Sequence, residues 1–214
     1  MPGFSNLANK RVPHQLARTV RTNMPPLSLQ QLDRVNVVGT SGSGKSTFAR
    51  KLAELLGSPH IEMDRLYHKP NWEESTPDEL VEKLNKALAP DRWILDGNYH
   101  SKSFKTKWSR ATAIIWLDMS FTRNVTQATQ RAIRRIRTKQ ELWPGTGNRE
   151  TFRRTFMSRE SVLLWTLTSY HRVKRRYAAI EADRGEFNHV PFLRLRGRAA
   201  SEAFLQDVAA LRGA

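Results

Sequence analysis

Cysteine is absent from this chain of 214 residues, which excludes disulfide bonds, thiolate catalysis and cysteine-ligated zinc sites. No apolar run approaches the ~20 residues that a membrane-spanning helix needs, so no membrane segment is expected. The lack of both features fits a protein of the reducing cytoplasm, which is the location we expect. Hydrophobic residues make up 39% of the chain, enough for the core of one large α/β domain.

Acidic residues are scarce in two parts of the chain. Residues 1–32 contain four Lys and Arg and no acid. Residues 100–198 hold 22 Lys and Arg against seven Asp and Glu, so this half carries most of the net charge of +16. A charge excess concentrated in this way is typical of a pocket for phosphates or a patch for nucleic acid. A solvated arginine-rich surface is the third interpretation.

Residues 1–31 differ from the rest of the chain, because they contain four prolines and little apolar periodicity. We expect a disordered extension here. A targeting peptide and a translation start at Met24 are alternatives, although the stretch lacks the apolar centre of a secretory signal. The folded domain is expected to occupy residues 32–214.

From residue 32 onward, apolar strands alternate with helices. The predicted strands cover residues 35–38, 60–63, 93–95, 113–117 and 190–195, and the predicted helices cover residues 45–56, 76–88, 121–137, 153–182 and 199–211. Residues 142–150 contain Pro144, Gly145 and Gly147 and are predicted to form a loop. Strands that are apolar on both faces and separated by helices indicate an α/β fold, a parallel sheet covered by helices.

A glycine-rich motif lies between the first strand and the first helix. It comprises Gly39, Thr40, Ser41, Gly42, Ser43, Gly44, Lys45, Ser46 and Thr47. Glycines in a strand–loop–helix context let backbone N–H groups turn onto phosphate oxygens, as in a P-loop that binds ATP. We predict that Lys45 reaches the β and γ phosphates and that Ser46 joins a Mg²⁺ shell.

Three carboxylates follow predicted strands, at the sheet edge where parallel sheets bind ligands. Asp96 is the preferred Mg²⁺ partner opposite Ser46, with Asp118 as its rival; a turn or capping role is the structural alternative. Asp64 is predicted to orient or deprotonate an acceptor hydroxyl. For a phosphate acceptor it would instead contact metal-bound water or a sugar, and a simple turn residue is its structural alternative. His68 is a weaker candidate beside it.

Arginines are concentrated in the helix predicted at residues 121–137. Arg131, Arg134 and Arg135 have the spacing of one helical face, and guanidinium groups suit the charge of a transferring phosphoryl group. Others lie around the loop that follows and could act from its far side: Arg149, Arg153, Arg154 and Arg159. For at least half of these arginines, including Arg137, a solvated helix face is the alternative.

Residues 39–64, reading GTSGSGKSTFARKLAELLGSPHIEMD, resemble the opening of adenylate-kinase-like and shikimate-kinase-like small-molecule kinases. Further segments are similar to the topology-modulation (FlaR-type) proteins, which are adenylate-kinase-related P-loop proteins. These segments are NWEE (71–74), DRWILDGNY (91–99), IIWLD (114–118), RAIRR (131–135) and ELWPGTGNRE (141–150). The resemblance covers about residues 35–200.

The resemblance implies a P-loop NTPase fold, with a five-stranded parallel sheet in which the Trp93 strand lies beside the P-loop strand. That adjacency favours Asp96 over Asp118. It also implies a lid insertion at about residues 137–160, with Arg131 and Arg135 as hinge arginines, and a loop at 196–199 that borders the adenine. Adenylate kinases carry Phe-Pro-Arg where this chain has Asn98-Tyr99, so the resemblance does not extend to AMP as acceptor.

Three functions follow, of which the first is favoured. It is an ATP- and Mg²⁺-dependent kinase for a small molecule or nucleotide, with the acceptor near Asp64, Asn98 and Tyr99. Four basic residues could hold an acidic acceptor: Lys102, Lys105, Lys107 and Arg110. The second is a nucleic-acid-associated ATPase or polynucleotide-end kinase, motivated by the basic half and by Trp143 as a stacking residue. The third is an ATP-binding regulatory protein without efficient transfer.

Overall fold

The computed structural model describes residues 28–98, 103–139, 141–152 and 161–213. Several predictions fall outside the described residues: the extension at 1–27, and the roles of Tyr99, Lys102, Arg153, Arg154 and Arg159. The folded part begins with Ser28, which forms a capping box with Gln31 on the 3-10 helix Leu29–Leu32. Leu32 is buried in the core, so residues 28–31 of the predicted extension belong to the folded part.

The sheet has five strands: β1 (Arg34–Gly39), β2 (His60–Glu62), β3 (Trp93–Asp96), β4 (Ala113–Asp118) and β5 (Phe192–Arg196). Their order across the sheet is β2-β3-β1-β4-β5, and every neighbouring pair is parallel. β1 therefore lies in the centre, with β3 and β4 as neighbours. The predicted adjacency of the Trp93 strand and the P-loop strand is confirmed.

The described helices are α1 (Lys45–Leu56), α2 (Met63–Tyr67), α3 (Pro77–Ala87), α4 (Ser103–Trp108), α5 (Phe121–Thr138), α6 (Val162–Ala182) and α7 (Gly197–Gly213). Two further 3-10 helices cover Pro70–Trp72 and Gly185–Phe187. The bounds of α1 agree with the prediction at both ends. α2 and α4 were not predicted, because each has at most six residues and shows too little periodicity.

The helices cover both faces of the sheet. One core contains Phe48, Leu52 and Leu56 of α1, with Val208 of α7, packed on β1, β4 and β5. The other contains Leu84 of α3, and Trp108 and Tyr177 of α4 and α6. The chain is thus an α/β protein with a five-stranded parallel sheet between two helical layers, the P-loop fold expected from the sequence. No described helix has the length and apolar character needed to cross a bilayer.

Candidate phosphate-binding site

Residues 39–47 connect the end of β1 to the start of α1 at the centre of the sheet. Two glycines there have no room for a side chain and a positive φ that favours glycine. Gly39 has φ +151°, and a Cβ would lie 2.7 Å from the carbonyl oxygen of Leu117. Gly42 has φ +78°, and a Cβ would collide with the carbonyl oxygen of Asn124. The loop is therefore seated against β4 and α5, which fixes the direction of its backbone.

Asn98, just after β3, holds the loop from the other side. Its side-chain oxygen accepts from the N–H of Gly39 at 3.0 Å, and its side-chain nitrogen donates to the Gly39 carbonyl at 2.6 Å. The Tyr177 hydroxyl donates to the same side-chain oxygen at 3.1 Å. A second amide, Asn124 of α5, donates to the Thr40 hydroxyl. These contacts fix the backbone of Gly39 and Thr40, and the predicted place of Asn98 beside the acceptor stays a prediction.

Lys45 is the first residue of α1, where the helix N-terminus also presents unpaired backbone N–H groups. Its Nζ donates to the carbonyl oxygen of Thr40 at 3.1 Å, so it lies across the loop. The pKa of Lys45 lies below its usual value. Burial is the main cause and the Arg131 guanidinium adds to it, whereas the Asp96 and Asp64 carboxylates act in the opposite direction. Asp96, Asp64 and Arg131 are thus close enough to Lys45 for their charges to influence its pKa.

Asp96, the last residue of β3, has the surroundings that a Mg²⁺ site requires. It is buried, and its Oδ1 has no hydrogen-bond donor among the described residues. Burial raises the pKa of Asp96, whereas Lys45 and the Ser46 hydroxyl oppose that shift. An orphaned buried carboxylate oxygen beside Ser46 fits a hydrated Mg²⁺, which takes few protein ligands and keeps several waters. No group of three or more His, Asp or Glu able to hold a metal is present in the described ranges.

Asp64 and Arg131 lie on opposite elements around this pocket. The sequence placed Asp64 at the end of a strand, but β2 ends at Glu62 and Asp64 lies in the first turn of α2. Its side chain is exposed, and its charge acts on Lys45, Asp96 and Arg131. Burial and Arg135 lower the pKa of Arg131, and Glu150 raises it. An exposed carboxylate therefore faces a partly buried guanidinium across the site.

The other arginines of α5 do not share this position. Arg135 pairs with the buried Glu150 at 3.1 Å, which ties α5 to the loop that follows it. Arg134 is exposed and lines a separate surface groove with Gln130 and Arg137. Arg134 lies one turn from Arg131 on α5, and its predicted place on the face of Arg131 stays a prediction. Arg149 is exposed as well.

Asp118, the rival for the metal, ends β4 on the other side of β1 and is engaged in ion pairs. Lys174 of α6 approaches it at 2.9 Å and Arg194 of β5 at 2.7 Å. Its oxygens are thus neutralised by two cations, whereas Asp96 Oδ1 is left available. The strand order does not separate the two, because β3 and β4 both neighbour β1; the ion pairs of Asp118 favour Asp96.

The predicted acidic-acceptor cluster does not form among its described members. Lys107 is fully buried and donates to the carbonyl oxygen of Asn98 at 2.7 Å. Lys105 pairs with Glu186, and Arg110 donates to carbonyl oxygens at the end of α3. Trp143, predicted as a stacking residue for bases, is buried against the His68 ring. Lys107 and Trp143 are thus buried among protein groups, whereas Lys105 is exposed and Arg110 is half-buried.

Sequence reasoning missed Asn98 and Asn124 as supports of the loop. Asn98 belongs to the Asp-Gly-Asn run at the end of β3, so its proximity to the motif followed from the predicted strand adjacency. No local signal marks Asn124, which reaches Thr40 from 84 residues away.

No family model and no curated protein matches this chain. Among solved structures it is similar to a gluconokinase from Sinorhizobium meliloti, with 16% identity, 85% of this chain and 92% of that chain covered, and a TM-score of 0.46. It is also similar to a shikimate kinase from Acinetobacter baumannii in complex with shikimate, with 14% identity, 86% and 94% coverage, and a TM-score of 0.49.

The site thus combines a rigid anion-binding loop with a lysine, two carboxylates and an arginine. Cationic groups and backbone N–H groups can stabilise a polyphosphate, and Asp96 with Ser46 can hold its metal ion. The exposed Asp64, in the first turn of α2, could meet a second reactant from solvent.

Proposed function

We propose that this protein is an ATP- and Mg²⁺-dependent phosphotransferase that acts on a small molecule or a nucleotide. The observation that supports this most is the convergence of Lys45, Asp96, Asp64 and Arg131 at one P-loop. A protein that only bound nucleotide would need the loop and the metal ligands. It would have no use for an exposed carboxylate and an arginine on the far side of the pocket.

The residues of the pocket have complementary roles in this proposal. The backbone N–H groups of residues 40–46 and the ammonium of Lys45 bind the β and γ phosphates of ATP. Ser46 and Asp96 hold Mg²⁺, which when bound neutralises charge on those phosphates. Arg131 stabilises the charge on the phosphoryl group as it moves between the two oxygens.

Asp64 acts on the acceptor. It accepts a hydrogen bond from the acceptor hydroxyl and takes up its proton as the new bond to the γ phosphorus forms and the bond to the β–γ bridging oxygen breaks. The electron pair of the broken bond remains on ADP. An exposed side chain in the first turn of a short helix is suited to this role, because the acceptor can reach it from solvent.

The test compares Lys45→Ala with Lys51→Ala, a matched change on the exposed face of the same helix. Purified protein is incubated with ATP, Mg²⁺ and a panel of metabolites and nucleotides. The panel is first narrowed by thermal shift with a non-hydrolysable ATP analogue, since a ligand that binds the folded state raises its stability. We expect Lys45→Ala to lower turnover by at least about a hundredfold, as loss of a charge-stabilising donor does, with an unchanged circular dichroism spectrum. Lys51→Ala should retain activity.

Two outcomes would contradict the proposal. Binding of Mg²⁺-ATP without product or hydrolysis across the whole panel would indicate the regulatory alternative. Absence of any nucleotide-dependent thermal shift would remove the nucleotide role itself.

A further inference from the structure

Residues 141–150, the loop after α5, contact residues 68–72, the segment after α2, although some 75 residues separate them in the chain. Asn148 connects the two directly. Its Nδ2 donates to the carbonyl oxygen of Lys69 at 2.8 Å, and its Oδ1 accepts from the backbone N–H of Trp72 at 2.9 Å. Asn148 is 2% exposed, and both bonds are partly shielded from water. One side-chain amide therefore satisfies two backbone groups of the opposite segment.

Aromatic rings join the same two segments. The indole of Trp143 stacks on the His68 ring, with centroids 4.8 Å apart and planes at 19°. Trp72 packs edge-on against Trp143 at 5.9 Å and 76°. Trp143 is buried by these contacts. The loop thus presents a polar group and a large apolar surface to residues 68–72.

The backbone of residues 68–72 is in an unfavourable conformation. Asn71 has φ +57° and Trp72 has φ +63°. Positive φ is tolerated by asparagine but is costly for a bulky residue such as tryptophan. The Trp72 amide is the group that donates to Asn148. The hydrogen bond from Trp72 to Asn148 of loop 141–150 therefore stabilises Trp72, the residue with the least favourable backbone conformation in this segment.

Loop 141–150 is itself fixed at its base. Leu142 N–H donates to the Asn148 carbonyl at 2.8 Å, which closes the loop. Glu150 pairs with Arg135 of α5 at 3.1 Å, one turn after Arg131, whose pKa responds to Glu150. The loop therefore connects the arginine side of the pocket to the segment that directly follows α2 and Asp64.

We propose that Asn148, supported by the stacking of Trp143 on His68, is a positioning residue for the acceptor side of the site. This inference rests on the proposed function and deepens it. When loop 141–150 is docked, residues 68–72 adopt their strained turn, and α2 with Asp64 is held opposite Arg131. Acceptor binding and the exclusion of water from the site then depend on the hydrogen bonds of Asn148, a residue that in this proposal touches neither the nucleotide nor the acceptor.

The first test needs no catalytic activity. Hydrogen–deuterium exchange is measured for the full-length protein, Asn148→Ala, Asn148→Asp and Pro144→Ala, the last being an exposed control in the same loop. We expect Asn148→Ala to accelerate exchange at residues 69–73 by about tenfold, because two partly buried hydrogen bonds are lost. Asn148→Asp, which can still accept from Trp72 but cannot donate to Lys69, should give a smaller increase. Pro144→Ala should give none.

The second test measures kinetics with an acceptor identified by the panel. We expect Asn148→Ala to raise the acceptor KM about tenfold, the loss of roughly two net hydrogen bonds, while the ATP KM stays within about twofold. Hydrolysis of ATP without acceptor should rise, since water is excluded less well. Equal increases in both KM values would show a general loss of structure and overturn the inference.

The two proposals fail in different ways. If the full-length chain transfers no phosphoryl group to any compound, the proposed function fails, and the exchange experiment still decides whether Asn148 orders residues 68–72. Unchanged exchange at residues 69–73 in folded Asn148→Ala would overturn the positioning role even if the protein proves to be a kinase.

Discussion

Asp96 and Asp118 end the two strands that flank β1, yet their surroundings give them different chemistry. Asp118 lies between Lys174 and Arg194, which compensate its charge. Asp96 is buried beside Ser46, and burial raises the pKa of its carboxyl group despite the nearby Lys45. A buried carboxylate that is incompletely compensated by protein groups gains from a bound cation. At the scale of single residues, this difference is why we assign the proposed metal site to Asp96 and a structural ion pair to Asp118.

We predict that Asp96→Asn removes most of the Mg²⁺ dependence of nucleotide binding. The amide keeps the size of the side chain but supplies no negative charge for the hydrated ion. The measurement is the thermal shift produced by a non-hydrolysable ATP analogue, with Mg²⁺ and with EDTA. We expect the affinity gained from Mg²⁺ to fall by about tenfold or more, equivalent to about 1.4 kcal/mol of ligand-linked stability.

Asp118→Asn is the matched control. It breaks the ion pairs with Arg194 and Lys174 and should lower the free energy of unfolding by about 1–3 kcal/mol, but the Mg²⁺ dependence should remain. The reverse pattern, with Mg²⁺ dependence lost in Asp118→Asn and kept in Asp96→Asn, would assign the metal to Asp118.

At the scale of elements, local sequence patterns predicted some features and could not predict others. The bounds of α1 followed from its apolar spacing and from Gly57, which ends the helix with φ +62°. The proximity of Asp96 to the loop before Lys45 followed from the geometry of parallel strands, whose carboxyl ends share an edge, whereas Asp64 lies beyond β2 in α2. The docking of Asn148 on residues 69–72 had no local signal, because it joins segments far apart in the chain.

α4 illustrates how burial changes the role of a basic residue. Its Lys107 carries the same charge as the exposed Lys105 two residues earlier, but its side chain is fully buried below the P-loop. Lys107 donates to the Asn98 carbonyl at 2.7 Å and approaches the Met63 sulfur at 3.8 Å. Burial lowers the pKa of Lys107 to about 7. The lysine therefore supports the residue that holds Gly39 and changes protonation near neutral pH.

This pKa predicts a pH dependence of stability. Above pH 7 the folded chain releases the Lys107 proton, whereas the unfolded chain keeps it until about pH 10.4. The unfolded state then binds more protons, so the free energy of unfolding rises with pH in this window, by at most about 1.4 kcal/mol per pH unit. Below pH 7 both states are protonated and the dependence disappears.

Urea unfolding at pH 7, 8 and 9 of the unsubstituted protein, Lys107→Met and Lys105→Met checks this prediction. Lys107→Met removes the titrating group. Between pH 7 and 9, the free energy of unfolding of the unsubstituted protein should therefore rise by up to about 2 kcal/mol more than that of Lys107→Met. Lys105→Met changes an exposed ion pair with Glu186 and should show the pH profile of the unsubstituted protein. Parallel profiles for the unsubstituted protein and Lys107→Met would contradict the assigned pKa.

At the scale of the whole molecule, the charge of +16 is divided between the pocket and the outer surface. Arg135 pairs with Glu150, and Arg131 is influenced by the carboxylates of Glu150, Asp64 and Asp96. Arg134 and Arg137 of α5 and Arg172 of α6 are exposed. Surface cations of this kind attract any polyanion without selecting it, and salt screens them strongly. Phosphate binding at the P-loop would use directed backbone N–H groups as well as charge, so we expect it to depend less on salt.

We therefore predict that single-stranded DNA binds weakly and only at low salt, whereas Mg²⁺-ATP binding persists. An oligonucleotide that neutralises its phosphates on about six surface cations should lose roughly two orders of magnitude in affinity between about 50 and 200 mM salt. Fluorescence anisotropy of a labelled oligonucleotide measures this, in parallel with a thermal shift by the ATP analogue. Charge reversal in Arg134→Glu with Arg137→Glu should weaken oligonucleotide binding further and leave the ATP shift unchanged. Oligonucleotide binding that survived 200 mM salt and stimulated ATP hydrolysis would instead favour a polynucleotide substrate.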